Sequence, residues 1–168
     1  MLAALAGACG GVARSFDGEV YRSGPVAFRM SPAPGGWRIV EVEGAAIAYR
    51  DDAHRASILV NARCKKPDDV TPLVALTNQL VMGSTERDVA VQETEPFDGR
   101  EVLRTRMRAK WDGVPMAHEL FVAKKDGCVY DFVYTGAPEA FEAGVPAFEG
   151  WVRTFRSLPG SGLAGGGT

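Results

Sequence analysis

Few residues in this chain have types that do chemistry. Its 168 residues include two histidines, His54 and His118, and three cysteines, Cys9, Cys64 and Cys128. Histidine is the side chain whose ordinary pKa suits proton transfer near neutral pH. His54 stands beside Asp51 and Asp52, a trio that could weakly hold a cation; a solvated strand entry is the plainer reading. His118 alternates with apolar residues, which places it on a buried sheet face rather than in a ligand set. The patterns H-E-x-x-H and G-x-S-x-G are absent, and so is the phosphate-binding P-loop. Gly160, Gly162 and Gly165 fit G-x-G-x-x-G, but the pattern needs a strand before it and a helix after it, and the sequence given stops three residues later. The expectation is no catalytic residue, no cofactor and no metal.

The cysteines carry more information than the histidines. No C-x-x-C occurs, so a zinc ribbon or thioredoxin-type motif is excluded. Cys9 follows Leu5-Ala6-Gly7-Ala8, small residues of the kind that precede the lipid-bearing cysteine of bacterial lipoproteins. The apolar run before it is short and carries no Lys or Arg, so this reading places the true start upstream. Residues 1–8 are then the remnant of a signal peptide, and residues 9–19 a flexible tether. On that reading Gly10 carries no Asp-type inner-membrane retention signal, and outer-membrane attachment is then the default by resemblance to lipoprotein sorting. With Cys9 lipidated, Cys64 and Cys128 form an even pair in an oxidising compartment, either as a disulfide or as two free thiols.

A cationic row is the remaining polar feature. Arg104, Arg106, Arg108 and Lys110 alternate, and alternate residues of a strand share a face. They could meet an anionic partner such as a lipid headgroup, a polysaccharide or an acidic protein. The alternative is a solvated sheet face, or arginine stems packed under a helix. The chain holds 14 Arg against 5 Lys, so an arginine count carries little weight. A formal net charge of −2 excludes a strongly basic nucleic-acid binder.

The elements that must position these residues follow from periodicity. A first short strand is expected at 26–30, strands at 37–42 and 45–49, and an alternating strand at 54–63 with Ala56, Ile58, Val60 and Ala62 on one face. Thr71 as N-cap and Pro72 begin a helix through Leu73, Leu76, Thr77 and Leu80 that Gly83 ends. Asp68 and Asp69 suit its positive end. A strand at 86–92 follows. The 101–111 strand then turns at Asp112-Gly113 into 114–123, and Asp126-Gly127 turns that into 128–134. This register sets Arg106 opposite Glu119, Arg104 opposite Phe121, and Met107 opposite His118. Phe141, Val145, Phe148, Val152 and Phe155 form an apolar helical stripe. Gly144 and Pro146 are expected to break its first turn from the main helix. Residues 159–168 read as a disordered Gly-rich tail.

The run Gly127-Cys128-Val129-Tyr130-Asp131-Phe132-Val133-Tyr134, then Pro138-Glu139-Ala140-Phe141 and Phe148 to Arg156, resembles the C-terminal half of the PsbP-like fold. That fold also occurs in a Ran-binding nuclear import factor and in several bacterial lipoproteins. The resemblance spans most of residues 24–158. It implies an α+β domain over 20–158, with a central antiparallel sheet of about six strands flanked by helices. It also implies a non-enzymatic binding or assembly factor, and it strengthens the Cys9 reading. Its partner would be a protein or an anionic surface, with the membrane reached through the lipid and no nucleic acid. The other expectations are a cytosolic adaptor of the same fold, and a small-ligand protein or enzyme with a pocket between sheet and helices.

Overall fold

The structure is a computed structural model that describes residues 14–64 and 70–159. Cys9, the signal remnant, Asp68, Asp69 and the three glycines of the tail lie outside the described residues. The elements run β1 (Arg14–Phe16), β2 (Val20–Ser23), β3 (Val26–Arg29), β4 (Trp37–Val40), β5 (Ile47–Asp51), β6 (Ala56–Cys64) and α1 (Leu73–Leu80). They continue with β7 (Thr85–Phe97), β8 (Arg100–Trp111), β9 (Val114–Lys125), β10 (Cys128–Gly136), α2 (Pro138–Val152) and β11 (Arg156–Ser157).

Among the described residues there are eleven strands in two sheets and two helices, more sheet than the expected six flanked strands. The larger sheet has seven strands in the order β4-β5-β6-β10-β9-β8-β7, and the smaller has four in the order β1-β2-β3-β11. Every pairing is antiparallel. The range read as tether is already strand from Arg14, where β1 pairs with β2.

The meander forms because three Asp-Gly pairs close its hairpins. Asp98-Gly99, Asp112-Gly113 and Asp126-Gly127 all hold positive φ at both residues. A type I′ turn demands this, and its twist matches that of the flanking strands. The resulting register is the expected one: Arg106 faces Glu119, Arg104 faces Phe121, and Met107 faces His118.

The two faces of the large sheet differ. One packs against α2 and the small sheet around Phe121, Tyr130, Phe132 and Tyr134. The other packs against α1 around Met107, Ala109, Leu120 and Val81. Phe141, Val145, Phe148 and Val152 form the buried stripe of α2, joined by Trp151. Phe155 lies beyond the helix end. Its ring stands 4.8 to 5.6 Å from those of Tyr130, Phe132, Phe97 and Phe28, joining both sheets.

Two details of the helices depart from expectation. Pro146 lies inside a continuous α2 rather than breaking it. It sits on the exposed side of the helix, where water can satisfy the carbonyl that a proline leaves without a donor. Helix α1 starts at Leu73 with Pro72 as the N-cap, in place of Thr71, and no side chain caps it. Gly83 does follow its end, at a φ of 97°.

Candidate functional site: two arginine–carboxylate centres

Each face of the large sheet carries one fully buried carboxylate held by arginine from the neighbouring strand. On the α2 face this is Glu119 of β9. Its Oε1 accepts from Arg104 Nε at 2.6 Å, and its Oε2 accepts from Arg106 Nε at 2.5 Å. Helix α2 lays Glu149 and Glu142 over the same pair: Arg106 Nη2 donates to Glu149 at 3.1 Å and Nη1 to Glu142 at 3.3 Å. Edge strand β7 adds Glu93, 3.3 Å from Arg104, and Glu95, 2.6 Å from Arg153. Burial pushes the Glu119 carboxyl above the ordinary range while the two guanidiniums pull it back. Burial also works against the two arginines' charges, but the Glu119 hydrogen bonds and the surrounding carboxylates hold both above the ordinary arginine value.

This network changes the reading of the cationic row. Arg104 and Arg106 are already committed to glutamates, and Lys110 pairs with Glu86 at 2.7 Å. Among the described residues, Arg108 alone of the four is exposed without an ion pair. The arginine stems lie under a helix, the alternative raised from the sequence.

The second centre is on the α1 face. Asp131 of β10 is fully buried, and Arg63 of β6 donates to its Oδ2. Among the described residues its Oδ1 has no hydrogen-bond partner. Burial raises its pKa, and the Arg63 charge and hydrogen bond oppose the rise. Asn61 lies directly across the ladder from Asp131. A pocket of about 400 Å³ opens here between the Val42–Ala45 turn, β6 and Leu80 of α1. The sequence held a usable signal for this centre. Once Cys64 is set against Cys128, counting along the strands places Asp131 opposite Asn61 and one step from Arg63.

Cys64 and Cys128 are register partners, with Cα atoms 4.1 Å apart and their sulfurs bonded. The bond closes the end of the β6–β10 ladder next to Arg63. His118 is buried on the α1 face. Its Nε2 accepts from the Trp111 indole N–H at 3.2 Å, so its Nδ1 carries the proton and donates to Thr135 Oγ1 at 2.9 Å. Burial pushes its pKa down to about 4. The Asp51, Asp52 and His54 trio is divided. His54 Nδ1 pairs with buried Asp51 at 2.7 Å, while Asp52 turns to Arg38 at 2.8 Å and Arg50 at 3.3 Å. The described residues contain no group of three or more acidic, His or Cys residues placed to hold a metal. Among them, no helix is long and apolar enough to cross a membrane.

No protein-family model and no curated protein matches the sequence. Solved structures do match it. Cyanobacterial PsbP (CyanoP) from Synechocystis sp. PCC 6803 superposes with a TM-score of 0.56 at 19% identity, covering 90% of this chain and 98% of that one. LpqN of Mycobacterium tuberculosis, described as involved in cell envelope biogenesis, gives a TM-score of 0.60 at 14% identity, covering 88% and 90%. PA94, a protein of unknown function from Pseudomonas aeruginosa, gives 0.51 at 12%, covering 89% and 97%. At such identities the likeness is one of fold. With its meander, its closing helix and a near full-length match to PsbP, this chain has the PsbP-like fold.

Proposed function

We propose that the protein is a non-catalytic binding or assembly factor of the bacterial envelope, anchored through a lipid on Cys9 and favouring the outer membrane. The observation that carries this reading is the Cys64–Cys128 bond. Structural disulfides persist in oxidising compartments and are rare in the bacterial cytosol. The small residues before Cys9 and the fold shared with LpqN, itself described as involved in envelope biogenesis, support the same placement. The binding role is supported by how the buried polar groups are used. Glu119 is bound by two arginines, and His118 is held neutral between Trp111 and Thr135, so neither is poised to attack or to move a proton.

The test is expression from the gene with its upstream sequence, in cells fed labelled palmitate. Label in the wild type that disappears in Cys9→Ala, together with Cys64 and Cys128 that resist alkylation until reductant is added, is the expected result. An unlabelled cytosolic protein with both thiols free would overturn the reading and leave a cytosolic adaptor of the same fold.

A further inference from the structure

Asp131 poses a question that the fold alone does not answer. A fully buried carboxylate oxygen is ordinarily matched by a donor, and Oδ1 has none among the described residues. The residue directly opposite on β6, Asn61, makes no hydrogen bond with it. Both residues line the open pocket, with Arg63 beside them and Glu43 on the facing turn. Arg63 is 38% exposed and, among the described residues, spends one N–H on Asp131, which leaves the rest of its guanidinium fork for a ligand. The pocket volume of about 400 Å³ falls within the range of small-molecule sites, roughly 300–1,000 Å³. Val42, Leu59 and Leu80 supply an apolar lining.

The charges in this concavity select among ligand classes. A simple anion would meet Arg63 but be repelled by Asp131 and Glu43. A simple cation would meet the carboxylates but face the guanidinium. A wholly apolar ligand would cover Asp131 and leave Oδ1 unmatched, at a cost. A molecule carrying both charges on adjacent atoms satisfies both sides.

We propose that this pocket binds a small zwitterion of the α-amino-acid type. The ligand carboxylate lies on the free N–H groups of Arg63 and the Asn61 amide. Its ammonium turns towards Glu43 and Asp131 Oδ1, which is reached as Arg63 and Asn61 swing to meet it. An apolar side chain rests on Val42, Leu59 and Leu80. The proposal builds on the reading of the domain as a binding module.

The experiment is calorimetric titration of the full chain with L-leucine, N-acetyl-L-leucine and L-leucinamide, with amide chemical shifts followed by NMR. Leucine should bind, and each blocked analogue should bind at least about tenfold more weakly, because each lacks one charge-assisted contact. Arg63→Gln should weaken leucine about tenfold and leave leucinamide nearly unchanged. Glu43→Gln, at an exposed turn, should weaken leucine and leave N-acetyl-leucine unchanged. The shifts should centre on Asn61, Arg63 and Leu80. No leucine binding up to roughly 10 mM, equal binding of the blocked analogues, or shifts centred elsewhere would overturn the site. Leucine that binds as expected but is recovered chemically altered would leave the site standing and overturn the non-catalytic reading instead.

Discussion

Glu119 and Asp131 begin from the same chemistry. Each is a fully buried carboxylate in the central meander, each is held by arginine from the next strand, and burial pushes each pKa upward. What covers them separates them. Helix α2 crosses the Glu119 face and brings Glu149 and Glu142, so both Glu119 oxygens and both guanidiniums are matched. Over Asp131 the α1 side leaves a pocket, and one oxygen goes without a partner. A buried ion pair closed on all sides is architecture, whereas the same pair left half matched beside a cavity is where a ligand has something to gain.

Breaking the closed centre should have the largest effect. Glu119→Ala removes the carboxylate that two guanidiniums share under α2 and should cost about 3–5 kcal/mol in chemical denaturation, through two lost charge-assisted hydrogen bonds and the cavity left behind. Retention of near wild-type stability would show that water reaches the network and that the contrast between the faces is false.

The second test concerns a buried polar group matched without any charge. The His118 pKa of about 4 lies well below the ordinary 6.5, so the unfolded chain binds the proton more readily than the folded one. Its contribution is therefore complete above pH 6.5 and is lost as pH falls towards 4, amounting to roughly 3 kcal/mol. His118→Gln, which can still accept from Trp111 and donate to Thr135, should flatten that slope in denaturation curves measured across the range.

The open centre should yield less. Arg63→Ala removes the only donor to Asp131 among the described residues, and its carboxyl, already raised by burial, should rise further in a carbon-detected NMR titration. A raised folded pKa means the group's contribution falls as pH climbs through it. The variant should therefore lose about 1–3 kcal/mol at neutral pH and recover part of that in acid. A loss as large as that of Glu119→Ala would mean that the two centres are structurally equivalent. The smallest effect belongs to Arg108, the exposed member of the row: Arg108→Ala should stay within about 0.5 kcal/mol of wild type.

Much of the site could be read from sequence because hairpin registers are local. Asp112-Gly113 alone fixes the pairing of Arg106 with Glu119 and of Met107 with His118. Glu142 and Glu149 were not legible as partners of those arginines, because only the docking of α2 brings them there. The small sheet escaped for a related reason. β1, β2 and β11 have two to four residues each, too few for a period, and β11 finds its place through Phe155 and a partner far back in the chain. Pro146 falls off the stripe that Phe141, Val145, Phe148 and Val152 define, so the carbonyl it leaves without a donor faces water and the helix continues through it.

The pairing of β3 with β11 also bears on the order of assembly. Arg29 pairs with Arg156, and Phe28 packs against Phe155, so one layer of the core joins the start of the domain to its end. A ribosome delivers the residues of β3 long before those of β11. The four-stranded sheet therefore cannot close on the nascent chain until Ser157 has emerged, and such long-range closure is slow. Among the described strands, the last to be made therefore completes the layer that the first ones begin.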